Sequence, residues 1–142
     1  MAGNNELVWR PLSRTMRYAL DILAHLAGKE GEWVPGEQIA RELAIPANYL
    51  SKILNQLRKG GFVDSQKGWG GGFRLRPEAL ERPIQDVLRI VEGAIRLEGG
   101  GCLLGLASCD EAHPCSLHPY WNRMRETFHE MMTNTRVRDL RR

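Results

Sequence analysis

The chain has 142 residues, of which 42% are hydrophobic and 26% charged, with 15 glycines and 7 prolines. That is enough for one core-bearing domain, or a small domain with a helical arm, and it excludes most multidomain enzymes as well as collagenous or low-complexity chains. No apolar run approaches the ~18 residues of a membrane span, and the opening MAGNNELVWRPL lacks the basic and apolar blocks of a secretion signal. A cytoplasmic location is therefore expected, where the three cysteines should not form structural disulfides. The net charge of +3 is unevenly spread: residues 47–76 carry Lys52, Arg58, Lys59, Lys67, Arg74 and Arg76 against Asp64 alone. Such a segment suits a polyanion, although most charge clusters are solvated surface.

In chain order, residues 1–11 have no hydrophobic period and end in Pro11, which reads as a flexible tail. Ser13 is an N-cap for a first helix reaching Gly28, with Met16, Ala19, Leu20, Leu23 and Ala27 on one face. A short helix follows in GEQIAREL, turned inward by Ile39, Ala40 and Leu43. A third spans Ala47 to Lys59, where Leu50, Ile53, Leu54 and Leu57 form a stripe that stops at Gly60-Gly61. FVDSQ and FRLR are β-prone runs around a KGWGGG tip, a hairpin signature. Three helices followed by a hairpin make a winged helix-turn-helix, so the expected fold is mainly α with a small β-hairpin. A fourth helix opens at Pro83 and buries Ile84, Val87, Leu88 and Val91 before Gly93. Residues 94–114 read as a long loop with three glycines at 99–101. Such loops are commonly functional. Last, Leu117, Trp121, Met124, Phe128, Met131 and Thr135 repeat at alternating spacings of four and three, the seam of a dimerising helix or of one packed back on the first helix. The divisions expected are a tail (1–11), a DNA-binding domain (12–82) and a loop with a dimerisation helix (83–142).

Two constellations carry chemistry. In the third helix Asn48, Ser51, Lys52, Asn55 and Gln56 lie off the buried stripe, and these side chains can pair with base edges or phosphates. Tyr49 could touch either DNA backbone or core. On the hairpin, Gly70, Gly71 and Gly72 would let the backbone approach a groove, with Lys67, Arg74 and Arg76 supplying cations, and Lys59 adds a phosphate contact at the helix end. Trp69, at the tip, could pack on deoxyribose or lid the core. GWGGGF lacks the Walker Lys-Ser/Thr pair, which argues against a nucleotide site. The second constellation is C-x6-C-x5-C-x2-H, formed by Cys102, Cys109, Cys115 and His118. Thiolate and imidazole ligate iron–sulfur clusters and zinc, and the wide gaps are unlike the tight pairs usual for zinc. His113, Asp110 and Glu111 are alternative ligands.

LSRTMRYALDILAHLA, IARELAIPANYLSKILNQLRKGGFVDSQKGWGGGFRL and the PCSLHPYW end of the cysteine loop together resemble the Rrf2 family of bacterial winged-helix regulators, which includes iron–sulfur-cluster and nitric-oxide-sensing members. The resemblance implies a homodimer on double-stranded DNA with a roughly palindromic operator. It also implies a cluster on Cys102, Cys109 and Cys115 that sets DNA affinity. Nitric-oxide sensors use an acidic residue of the first helix as fourth ligand, but Arg17 stands there. His118 matches the alternative histidine, favouring 2Fe-2S, while the x6 first gap leaves 4Fe-4S open. The expected function is a non-enzymatic transcriptional regulator sensing redox state, nitric oxide or iron supply. The alternatives are a zinc-dependent or thiol-switch regulator of the same fold and a small iron–sulfur electron carrier.

Overall fold

The computed structural model describes residues 10–93 and 101–142, so most of the expected tail and the glycines at 99 and 100 lie outside the described residues. Helix α1 (Arg14–Ala27) starts where Ser13 accepts the Met16 N–H at 3.0 Å. Its buried stripe is Met16, Ala19, Ile22, Leu23, Leu26 and Ala27, with Leu20 at the edge. The expected face is thus rotated slightly, bringing in Ile22 and Leu26. Helices α2 (Gly36–Leu43) and α3 (Ala47–Lys59) flank a three-residue turn. Ala44 takes a left-handed conformation (φ 53°) there, and Ile45 plugs the core. That turn sets α3 across α2 and leaves one face of α3 exposed.

The hairpin forms as expected. Strands β1 (Val63–Gln66) and β2 (Gly72–Leu75) pair antiparallel from Val63 opposite Leu75 to Gln66 opposite Gly72. Val34 adds a short bridge, exchanging two 2.8 Å hydrogen bonds with Phe73, so the wing is moored to the segment before α2. Helix α4 (Ile84–Glu92) buries Ile84, Val87 and Leu88 and crosses the end of α3 closely. A Cβ on Gly60 would lie 2.2 Å from Ile90 Cδ1, so the crossing needs glycine or a displaced isoleucine. Arg82 fastens the same corner, with its guanidinium 3.8 Å over the Phe62 ring and a 2.6 Å hydrogen bond to the Gly60 carbonyl.

The sequence reading did not include two 3₁₀ segments, Pro77–Glu81 and Val137–Leu140. Both are too short to show a period. They pair through Glu81, whose carboxylate accepts Arg136 at 2.7 Å and also Arg138. Val137 is fully buried and, with Met132 of helix α5 (His118–Asn134), joins the same core as α1, α3 and α4. The expected seam on α5 therefore splits. Phe128 and Met132 turn into this core, whereas Met124 (40% exposed) and Met131 (41%) face outward. The winged helix-turn-helix is closed from behind by the chain's own C-terminal end.

Candidate DNA-binding face and cysteine site

Because Leu50, Ile53, Leu54 and Leu57 are committed to the core, helical periodicity forces Asn48, Ser51, Lys52, Asn55 and Lys59 to the opposite side, and all five are exposed. Tyr49 is half-exposed, its ring edge-on to Tyr18 at 6.1 Å, which fixes it against α1. Asn55 is not free to read bases with both ends of its amide. Its Oδ1 accepts Arg58 at 2.8 Å, leaving the NH₂ group to donate. Arg58 itself was absent from the expected contact set. The signal for it was its place one helical turn after Asn55 on the same face. A cleft of about 500 Å³ separates α3 from the wing, with Ser51, Asn55 and Arg58 on one wall and Gln66 and Lys67 on the other. Recognition helix and wing thus border one continuous surface.

The wing's cations are not equivalent. Lys67 is exposed and has no acidic partner among the described residues. Arg74 lies 4.3 Å over the Trp33 ring and 3.8 Å from Asp64, and Arg76 pairs with Glu78 at 2.9 Å and approaches Asp64 at 3.7 Å. Arg74 is therefore held as a stacked, partly neutralised group rather than a free phosphate ligand. The glycines differ too. Gly70 (φ 76°) is exposed, with open space where a side chain would be. Gly71 is buried, and its Cβ would stand 2.2 Å from the Gln66 carbonyl oxygen, while a Cβ on Gly72 would meet the Val34 carbonyl at 2.3 Å. Closure of the wing turn on Gln66 and its mooring on Val34 therefore require glycine at positions 71 and 72, independently of any approach of DNA.

The three cysteines converge. Their sulfur atoms all lie within 4.8 Å of one another, with Cys102 and Cys115 at 3.8 Å. Cys115 occupies the turn before α5 and His118 opens the helix, its N–H bonded to the Cys115 carbonyl at 3.1 Å. This places His118 Nδ1 3.4 Å from Cys109 Sγ, while Asn122, one turn later, approaches Nε2 at 3.4 Å. That contact is made by the Asn122 amide nitrogen, a donor, and it holds the orientation of the ring. Trp121 moors the loop's start by donating to the Gly101 carbonyl at 2.9 Å. The other candidate ligands lie outside that close set, with Asp110 and His113 bordering one cleft with Cys109 and Cys115: the His113 ring lies 3.4 Å from Asp110, its backbone N–H donates to the same carboxylate, and both residues and Glu111 are exposed.

The cysteine thiols are electrostatically unlike. Hydrogen bonding from the Leu106 backbone, aided by that of Leu104, pulls Cys102 down to about 7. At Cys109 the Cys115 backbone N–H also lowers the value, but burial and the neighbouring thiols of Cys115 and Cys102 outweigh it, and the net shift is upward. The site therefore offers one readily formed thiolate, with two further sulfurs and an imidazole at its edge.

A sequence profile for the Rrf2 family, described as an iron-dependent transcriptional regulator, matches residues 12–142. The chain belongs to this family. It is 35% identical over 130 residues to a helix-turn-helix-type transcriptional regulator of Aquifex aeolicus, covering 90% of this chain and 89% of that one. It is 27% identical over 128 residues to the transcriptional regulator IscR of Klebsiella pneumoniae, with coverages of 87% and 75%. Among solved structures it resembles CymR, the global cysteine regulator of B. subtilis, with a TM-score of 0.74 and 28% identity over 93% of this chain and 96% of that one. An Rrf2 regulator is a DNA-binding transcription factor and not an enzyme, in keeping with a surface that offers a recognition helix and a wing. Among the described residues no helix is long and apolar enough to cross a membrane.

Proposed function

We propose that this Rrf2 regulator binds a roughly palindromic DNA operator as a homodimer, and that its affinity is set by an iron–sulfur cluster held by Cys102, Cys109, Cys115 and His118. The observation that carries the reading is the convergence of three sulfurs within 4.8 Å, with an imidazole nitrogen 3.4 Å from one of them. The donors fit the group. Two thiolates on one tetrahedral metal with bonds of about 2.3 Å stand roughly 3.8 Å apart, which is the Cys102–Cys115 separation. The match of His118 to the family's histidine ligand favours 2Fe-2S over 4Fe-4S. When bound, such a group supplies a centre whose ligation responds to oxidants, nitric oxide or iron supply.

The protein's own part is to connect that ligation to α3. Trp121 ties the loop to α5, Met132 and Phe128 seat the far end of α5 in the core, and the Thr135 carbonyl accepts the first α4 amide, Ile84, at 2.9 Å. From α4, Ile90 presses on Gly60 at the end of α3. Were the cluster lost, Cys102, Cys109 and Cys115 would no longer hold the loop end of this chain of contacts, and α5 could shift against the core. The outward Met124, Met131 and Tyr120 supply the dimer contact, which puts two α3 helices on successive major-groove faces.

Anaerobic purification tests the proposal. It expects coloured protein with equal iron and acid-labile sulfide, sedimenting as a dimer, whose affinity for a selected operator changes when the cluster is removed. Colourless protein with zinc, or with free thiols alone, would overturn it. A second reading, a cluster-free thiol regulator, is favoured by the 3.8 Å Cys102–Cys115 approach and the ready thiolate at Cys102. The same sample decides between them.

A further inference from the structure

Trp69 sits at the wing tip with its side chain fully in solvent, at 105% relative exposure. The other described tryptophans have partners: Trp33 stacks under Arg74, and Trp121 donates to Gly101. Trp69 has none among the described residues, so it does not lid the core. Its presentation is built by the backbone. Gly68 (φ 92°) and Gly70 (φ 76°) flank it in conformations that disfavour side chains, and the Gly71 N–H closes the turn on the Gly68 carbonyl at 3.1 Å. Neither flanking glycine has an atom within 4 Å of the place a Cβ would occupy. The indole thus stands alone on a narrow, two-stranded stalk. Beside it is Lys67, the wing cation without an acidic partner, on the wall of the cleft that faces Ser51, Asn55 and Arg58.

A free indole in water is unfavourable for a soluble chain unless a partner removes it from solvent, and tryptophan is the side chain that gains most from such burial. The surface this one continues is the DNA-binding face, and the flat indole projecting from the tip, unlike the two-stranded ribbon that carries it, is slim enough for a groove of roughly 6 Å. We infer that Trp69 is a minor-groove anchor: it enters the groove flanking the half-site read by α3 and packs its ring on deoxyribose and base edges, with Lys67 held at the adjoining phosphate. The inference rests on the DNA-binding reading of α3 and the wing. Its physical signature differs from that of a basic contact. Ring burial releases no counterion, so it strengthens binding without steepening the salt dependence, and it reads groove shape and the guanine amino group instead of the major-groove code.

The test uses the anaerobically purified full chain and the duplex it enriches from a random-sequence library. Trp69→Ala should weaken binding about tenfold or more while the slope of log affinity against log salt stays unchanged. Trp69→Phe should recover most of the loss, and both variants should melt as wild type does because the residue is exposed. Replacing flanking A·T pairs one at a time with inosine·cytosine preserves the minor-groove pattern, whereas G·C adds an amino group to it. At the anchored step wild type should tolerate the first change and be weakened by the second, with Trp69→Ala indifferent to both. Acrylamide quenching should show DNA protecting one tryptophan in wild type and none in Trp69→Phe. Binding by Trp69→Ala within twofold of wild type, or an equal penalty for both base changes, would overturn the anchor while leaving the DNA face intact. Failure of wild type to enrich any duplex would overturn both.

Discussion

Replacing Gly72 by alanine should detach the wing, and the structure sets the size of the effect. A Cβ at this position would fall 2.3 Å from the Val34 carbonyl oxygen, 2.5 Å from its carbon and 2.7 Å from the Pro35 nitrogen. All three are backbone atoms, so no side chain can rotate away. The residue also has φ 135°, outside the range an alanine adopts cheaply. The two 2.8 Å hydrogen bonds between Val34 and Phe73 cannot survive the separation required. Each is worth about 1 kcal/mol net, and relieving or keeping the backbone strain adds about 1–3 kcal/mol, for a total of roughly 3–5 kcal/mol. Against a domain stability of about 5–15 kcal/mol this is a large fraction, and it corresponds to a fall in melting temperature of the order of 10–15 °C. Urea and thermal denaturation measure it, with Gly70→Ala as the control. Gly70 also has positive φ, but at 76° it lies near the left-handed region and has open space around it, so its replacement should cost about 1 kcal/mol. Equal destabilisation by the two substitutions would refute the argument that Gly72 is a packing glycine and Gly70 a tip glycine.

Other substitutions separate the roles assigned above. His118→Ala should change the visible spectrum of the anaerobic protein, whereas His113→Ala and Asp110→Ala should leave it unaltered because those two pair with each other; the opposite pattern would move the fourth ligand to the loop. Met124→Glu with Met131→Glu should give a folded monomer in sedimentation, since both side chains are about 40% exposed in the single chain and their charge is costly only in an interface. Met132→Ala, one residue away but fully inside the core, should instead lower stability by about 2–5 kcal/mol at unchanged oligomeric state.

The distinction between Met131 and Met132 illustrates what was readable from sequence and what was not. Periodicity located α3 to the residue and α4 to within one, because each buries one unbroken apolar stripe; Val91, expected inside, is only half-buried at the end of α4. Helix α5 has two apolar directions, and a four-three spacing cannot say which is filled by the chain itself. The buried direction became visible only once Val137 and the C-terminal 3₁₀ segment were seen closing on α1. The cysteine site was legible because C-x6-C-x5-C-x2-H confines all four donors to one loop and one helix start. The tethers that aim it, Trp121 to Gly101 and Asn122 to His118, depend on loop geometry that no spacing encodes. Likewise a glycine run announces a tight tip, but only the positions of Gln66 and Val34 tell which glycine faces outward.

The same cross-chain contacts decide how the DNA face meets phosphate. The basic segment has six cations in sequence, yet charge acts on DNA only where it is not already met by the protein. Arg74 and Arg76 share Asp64 and Arg76 also meets Glu78, whereas Lys52, Lys59, Lys67 and Arg58, which bonds only the neutral amide of Asn55, are exposed without acidic partners among the described residues. Four such cations per chain give eight phosphate contacts in the proposed dimer, for which log affinity should fall with log salt at a slope of about −7. Counting all six cations would give a slope of about −11, so a titration between low and moderate salt separates the two cases by about two decades of affinity. Each Lys→Ala change should then flatten the slope by about two, one contact from each half of the dimer, at any sequence. Arg74→Ala should leave the slope nearly untouched and act through the lost stacking on Trp33. A wild-type slope near −11, or a flattening by Arg74→Ala as large as that by Lys67→Ala, would mean that Asp64 releases its arginines when DNA arrives and that the free wing is not the bound one.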